Sequence, residues 1–163
     1  MSQVAQAVSG KELYISSFSE LAGRLPGSDL PWLQKIRRSA IARFDELGFP
    51  GEDNEEWRFT KVDPIVQTTF AFPVPDEPQG LKSGNVMEQA LCPVDSYRLV
   101  FVNGRYSAQF SSLPALSNGL ILGNLATSLR AHPELLKSHL ASKAGTQTQA
   151  FEALNTAFFS DGA

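Results

Sequence analysis

The sequence has a single cysteine, Cys92, so an intramolecular disulfide and a metal cage built from several thiolates are both excluded. Cys92 precedes Pro93 with no histidine nearby in sequence, which favours a buried or incidental thiol over a nucleophile. The two histidines, His132 and His139, lie seven residues apart with no cysteine or carboxylate set at ligand spacing. The sequence therefore predicts no metal site and no cofactor site.

A basic excess is also missing. Lysine and arginine number 14 against 17 aspartates and glutamates, the net charge is −3, and the isoelectric point is near 5.4. A nucleic-acid partner is not expected, because no surplus of cations is available to neutralise phosphates. Four cations do cluster on one predicted helix, and we expect them to form its solvated face: Lys35, Arg37, Arg38 and Arg43.

Long apolar runs, a secretory leader and phosphate-binding glycine loops are absent from the sequence as well. Residues 1–10 are small and polar and lack a basic start, and no stretch has the length needed to span a bilayer. The glycines fall in no Walker or dinucleotide spacing. We expect a cytoplasmic protein, or one imported and trimmed, with no membrane partner.

What is present is an ordinary globular composition with 42% hydrophobic residues in 163. Residues 1–10 are expected to be disordered, and residues 11–70 to be a helical region. Its first helix should run from Lys11 to Leu25 and stop at Pro26-Gly27. The second should have Ser28 or Asp29 as N-cap, end at Gly48 and bury Leu33, Ile36, Ala40, Phe44 and Leu47. A short helix should follow, with Asp63 as N-cap and Pro64 first.

A Pro/Gly-rich connection at 71–96, with a short helical turn at 86–91, should precede a small sheet and helices at 97–140. Strands at 97–102 and 105–110 flank Asn103-Gly104, the favoured pair for a type I′ hairpin turn. A second turn at 118–119 leads to a strand at 120–122. A helix then starts after Asn124 and ends at His132-Pro133, and another covers 134–140. The fold class predicted is α+β.

Residues 141–163 are interpreted as a linker and the start of a further core domain. The segment 150–159 has a helical period through Phe151, Leu154 and Phe158, and the chain closes on turn residues at 160–163. These phenylalanines need cover, either by folding back on the body or by a following domain, and we expect the following domain.

The most unusual stretch is residues 50–64, whose first dozen positions, 50–61, hold four carboxylates, an indole, a guanidinium and a second aromatic directly after the second helix. We expect a loop fixed to the body, in which Trp57 and Phe59 bury apolar area and Arg58 pairs with a carboxylate or stacks on a ring. Glu55 and Glu56 are adjacent, so they do not face one substrate atom, and charge at a helix N-terminus is the expected role.

Three runs of sequence resemble the N-terminal region of the SufB/SufD family of the Suf iron–sulfur cluster assembly machinery. They are RFDELGFP at 43–50 with NEEWRFT at 54–60, LVFVNGRY at 99–106 and ALNTAF at 153–158. The run around Glu56, Trp57, Arg58 and Thr60 looks more like the SufD branch than the SufB branch. We expect these four residues to be structural first and a partner surface second.

The resemblance implies a non-catalytic scaffold subunit of a SufB–SufC–SufD complex, with SufB and SufC as partners and the iron–sulfur cluster associated with the full complex. It also implies a right-handed parallel β-helix after residue 163, followed by a C-terminal helical region that contacts SufC. The cluster-related and SufB-contacting residues of the family would lie in this following part. Two alternatives remain open. In the first, the chain is a free-standing adaptor that uses the helix face around Trp32. In the second, it is part of an enzyme that another chain completes.

Overall fold

A computed structural model describes residues 10–70, 96–113, 120–142 and 148–162 of the chain. The helices are α1 (Gly10–Leu21), α2 (Pro31–Leu47), a 3₁₀ helix (Glu55–Trp57), α3 (Asp63–Gln67), α4 (Leu125–Ala131), α5 (Pro133–Ser142) and α6 (Ala150–Phe158). The strands are β1 (Phe101–Val102) and β2 (Arg105–Tyr106). This mixture confirms the predicted α+β class. The chain divides into a helical unit, residues 1–71 and 137–159, and a hairpin unit, residues 72–136 and 160–163.

Helix α2 is the central helix of the helical unit. Its predicted apolar stripe is buried at Leu33, Ile36, Ala40 and Phe44, while Leu47 at its end is only partly buried. Its predicted end is confirmed, because Gly48 has a φ of 65° and its N–H donates to the carbonyl of Phe44 at 2.8 Å. The predicted cap from Ser28 or Asp29 is wrong. The N-cap is Leu30, which makes no side-chain cap, and a proline follows it and reduces the number of unsatisfied N–H groups.

Helix α1 is shorter than its periodicity predicts. It ends at Leu21, and the chain then turns, with the N–H of Leu25 donating to the carbonyl of Leu21 at 3.2 Å. A proline disfavours helical backbone angles at the residue before it, so Pro26 disfavours a helical conformation at Leu25. Gly27 completes the reversal with a φ of 71°.

The core of the helical unit lies between α2 and α6, which pack together more extensively than α1 packs against α2. Three alanines of α6 are buried there against Ile41 and Phe44 of α2 and Phe18 of α1: Ala150, Ala153 and Ala157. Small side chains at this spacing let two helices approach closely. Helix α6 is therefore confirmed, but alanines form its buried face. Its phenylalanines also have cover within this chain, since the ring of Phe158 lies 5.7 Å from Phe18 and that of Phe151 lies 5.7 Å from Phe49.

Arg37 of α2 is buried, with 1% of its surface exposed, and the prediction that it belongs to the solvated face is wrong. Its Nη2 donates to the carbonyl of Phe159 at 2.9 Å, and its guanidinium lies 4.7 Å from the centre of the Phe159 ring. A cation at the C-terminal end of α6 is favoured by the helix dipole. Burial lowers the pKa of Arg37 to about 10, so it remains charged at neutral pH. Its Nε and Nη1 have no acceptor among the described residues.

The hairpin unit contains the predicted turn. Asn103 and Gly104 have φ angles of 49° and 75°, and β1 pairs antiparallel with β2 through Phe101–Tyr106 and Val102–Arg105. The strands are shorter than predicted, because the Ser111 hydroxyl accepts the N–H of Val100 at 2.9 Å in place of a ladder carbonyl. One further bridge joins Arg98 to Ser112.

Other predictions for the back half have mixed outcomes. The predicted strand at 120–122 is wrong, since these residues form no ladder with any described residue. Helix α4 starts after Asn124 and ends at His132, as predicted, and α5 follows.

Helix α3 begins one residue early, with Val62 as its N-cap. The predicted turns at 86–91 and 118–119, and Cys92, lie outside the described residues.

Candidate functional site

The motif loop, residues 51–60, is built on a single turn of 3₁₀ helix. The side-chain oxygen of Asn54 accepts the N–H of Glu56 at 3.2 Å, which is an N-cap. Backbone hydrogen bonds continue the loop, from Trp57 to the carbonyl of Asn54 at 2.9 Å and from Thr60 to the carbonyl of Trp57 at 2.8 Å. The local sequence thus gives the loop a defined conformation.

Trp57 fastens the motif loop to the helical core. Its indole is half-buried, and the indole centre lies 5.1 Å from the ring of Phe151 at the start of α6. The contact continues from Phe151 to Phe49 at 5.7 Å and from Phe49 to Phe44 at 5.1 Å. Ring pairs of this kind stabilise a fold beyond the area that they bury. These ring contacts, which join Trp57 to the core residue Phe44, are what the expected structural role of Trp57 rests on.

Glu55 and Glu56 point to different partners. The Oε2 of Glu56 accepts the side-chain amide of Gln149 at 2.8 Å, next to the N-terminal end of α6. Glu55 lies 3.8 Å from Arg58, an exposed ion pair. Both glutamates also stand in the first turn of the 3₁₀ helix, where negative charge is favoured. Two carboxylates with separate partners do not form a general acid and base pair.

The outer side of the motif loop differs from the prediction. Phe59 is 92% exposed, so the expectation that it buries apolar area is wrong. Arg58 does both things expected of it, since it approaches Glu55 and its guanidinium lies 5.6 Å from the centre of the Phe59 ring. Thr60 is exposed. Of the four candidate residues, Glu56 and Trp57 thus contact the N-terminal end of α6, while Arg58 and Thr60 face solvent.

No group of three or more histidines, cysteines, aspartates or glutamates in the described part of the chain could hold a metal ion. Trp32, which the adaptor alternative requires at the surface, is half-buried, and its indole nitrogen is enclosed. Burial also raises the pKa of Tyr14, whose ring lies 5.7 Å from Phe49 in the same aromatic series. The candidate features that remain among the described residues are packing contacts and exposed side chains.

Asp161 is a polar centre of the hairpin unit that the sequence does not reveal. Its Oδ2 accepts the N–H of Tyr106 at 2.9 Å, and its Oδ1 accepts the N–H of Ala126 at 3.0 Å. Asn124 donates its side-chain amide to both oxygens, at 3.0 and 3.1 Å. Asp161 thus caps helix α4 and holds strand β2 at the same time, while Asn124, the N-cap by position, makes no side-chain cap of its own.

The charge of Asp161 is stabilised by these bonds. Partial burial alone raises the pKa of its carboxyl, but hydrogen bonds from Ala126, Tyr106, Asn124 and Gly162 outweigh burial and lower the pKa below its usual value. The only sequence signal is an aspartate before a glycine, which is typical of a turn. Residues 159–162 form no turn, and the carbonyl of Gly162 instead accepts the N–H of Leu125 at 2.8 Å.

A comparison with protein families matches residues 8–163 to the family model described as the SufBD protein N-terminal region. The chain belongs to the SufB/SufD family. Its involvement in the Suf system of iron–sulfur cluster assembly follows from this membership. No curated protein and no solved structure matches the chain in the other two comparisons.

Two of the three SufB/SufD motif runs meet in the helical unit. The run at 43–60 supplies Phe44, Phe49 and Trp57, and the run at 153–158 supplies the buried Ala153 and Ala157. The third run, at 99–106, forms the hairpin. No helix in the described part of this SufB/SufD-family chain is long and apolar enough to cross a membrane.

Proposed function

We propose that this chain acts as a SufD-type subunit of a non-catalytic scaffold for iron–sulfur cluster assembly, with SufB and SufC as its partners in the cytoplasm. The observation that carries the proposal is the family match over residues 8–163. The motif run at 54–60 supports the SufD branch, which it resembles more than the SufB branch. The iron–sulfur cluster is cargo of the assembled complex.

The residues of the motif loop fall into two groups with different proposed roles. Glu56 and Trp57 hold the loop to α6 through Gln149 and Phe151, so they set its position. Arg58, with 59% of its side chain exposed, and Thr60 are presented outward and are the partner-facing residues of the proposal. Arginine beside an aromatic is common at protein interfaces.

Co-purification tests the proposal. The natural protein that contains this chain, carrying an affinity tag, is co-expressed with SufB and SufC from the same genome, and we expect both to be recovered with it in a fixed ratio. Recovery of neither protein would overturn the proposed role. We also expect a chain with Arg58→Ala to recover less SufB and SufC than one with Arg24→Ala, a matched change at another exposed arginine of the helical unit.

A further inference from the structure

Phe59 is the most exposed large hydrophobic side chain in the part of the chain that the structure describes, at 92%. A single exposed apolar residue is ordinary on a protein surface, but this one stands on a fastened loop. The residues before it are fixed by the Asn54 cap, by the hydrogen bond from Gln149 to Glu56 and by the packing of Trp57 on Phe151. A preorganised aromatic loses little conformational entropy when it binds.

The loop around Phe59 is also where the negative charge of the chain is concentrated. Residues 51–63 carry five carboxylates and two cations, a net charge of −3 that equals the formal charge of all 163 residues. Glu52, Asp53 and Glu55 are all exposed. Arg58 and Glu55 offset each other's charge, so the remaining charge of the loop that carries Phe59 is negative. A complementary surface would be apolar at its centre and basic at its rim.

We propose that Phe59 inserts into an apolar pocket with a basic rim on another protein of the proposed assembly. The inference rests on the proposed function and adds to it the anchoring residue and the chemistry of the partner surface. Within the interface Arg58 acts as a positioning residue, because its guanidinium lies over the phenyl ring and is itself held toward Glu55. Trp57 remains on the inner side and takes no part in the contact.

A second copy of this chain is the rival occupant, since α2 exposes Lys35 and Arg38. Two described cations of α2 already have partners on their own helix. Arg38 donates to Gln34 at 2.9 Å, and Arg43 pairs with Glu46 at 2.9 Å. These side chains are less suited to form a free basic rim, so a separate protein is favoured.

The experiment measures the affinity of the natural protein that contains this chain for the purified SufB–SufC complex at low and high salt. We expect Phe59→Ala to weaken binding about tenfold or more, as anchor residues do, while Ile121→Ala, a control that is 57% exposed, leaves it unchanged. Glu52→Lys should weaken binding at low salt, whereas the control Glu20→Lys, an equal charge change on α1, should not. Unchanged thermal melting of each variant shows that the fold is intact.

The outcomes separate the two proposals. If the unaltered chain binds neither SufB nor SufC, the proposed function fails and the inference fails with it. If the unaltered chain binds and Phe59→Ala binds equally well, the function stands and the Phe59 anchor is refuted. Light scattering that finds a dimer of the unaltered chain and a monomer of Phe59→Ala would assign the pocket to a second copy and overturn the separate partner.

Discussion

Replacing Asp161 by asparagine keeps the shape of the side chain but converts one carboxylate oxygen into an amide group. The aspartate uses both oxygens as acceptors, Oδ2 for the N–H of Tyr106 and Oδ1 for the N–H of Ala126. The amide of Asp161→Asn must face one of these backbone donors, so one donor is left opposed by another donor. The Asn124 side chain also loses one of its two acceptors.

The size of the effect follows from the charge and the exposure of the site. A hydrogen bond to a charged group contributes about 1.5–3 kcal/mol, and a helix cap about 0.5–2 kcal/mol. Asp161 is half-buried, so water recovers part of the loss. We therefore expect Asp161→Asn to lower the free energy of unfolding of the hairpin unit by about 1–3 kcal/mol, and Asp161→Ala by about 2–4 kcal/mol.

Amide hydrogen exchange is the suitable assay, because both tryptophans, Trp32 and Trp57, belong to the helical unit and their fluorescence reports on that unit. The Tyr106 and Ala126 amides should exchange about thirtyfold faster for a loss of 2 kcal/mol. Asp29→Asn makes the same chemical change at an exposed aspartate and should leave their exchange unchanged.

The pH dependence gives a second test of the same reasoning. The folded pKa of Asp161 lies below its ordinary value of 3.8, so its contribution is present above pH 3.8 and is lost as pH falls through the folded pKa. The unaltered chain should lose hairpin protection in that acid range, and Asp161→Asn should show a flatter dependence there. Equal acid slopes, or unchanged Tyr106 and Ala126 exchange at neutral pH, would refute the assigned role of Asp161.

Three further predictions concern single residues. Arg37→Met should leave the free energy of unfolding unchanged or raise it by about 1 kcal/mol, since it removes a buried charge and keeps volume, whereas Arg37→Ala should lower it by about 3 kcal/mol; thermal melts of the two variants decide, and a less stable methionine variant contradicts the reasoning. Trp57→Ala should cost about 2–3 kcal/mol in urea unfolding and Phe59→Ala less than about 0.5 kcal/mol, and equal costs would be inconsistent with the observed burial. Asn103→Ala should destabilise the hairpin by about 1 kcal/mol because of its positive φ, while Asn103→Gly should be nearly neutral; exchange of the Tyr106 amide measures both, and the reverse order would be evidence against the turn.

Local patterns explain which elements were predictable. The 3.6-residue stripe of α2 and its terminal Gly48 depend on residues within one helix, and the observed C-terminal end follows them. The Asn103-Gly104 turn is likewise set by two adjacent residues that tolerate positive φ. The family resemblance also required only sequence, since its three runs are visible in the printed chain.

Contacts between distant segments explain what was missed. In the sequence, Arg37 belongs to a run of cations on α2. Its burial could not be predicted, because its hydrogen-bond partner, Phe159, lies 122 residues later. Asp161 caps α4 across 35 residues and holds β2 across 55, and no periodicity signals either contact. The bonds to Phe159, Ala126 and Tyr106 are all made to backbone atoms, which every residue carries, so the sequence does not indicate these pairings.

In the motif loop, too, a contact with a distant segment decides what the local sequence could not predict. Trp57 and Phe59 are both aromatic, two residues apart, and composition predicts burial for either. What separates them is α6, because Phe151 provides a ring 5.1 Å from Trp57, whereas among the described residues no helix covers the 92% exposed Phe59. The sequence could therefore locate the site but not its orientation. The half-buried Trp57 packs the loop against α6, whereas the exposed Phe59 is the side chain that we propose as the partner anchor.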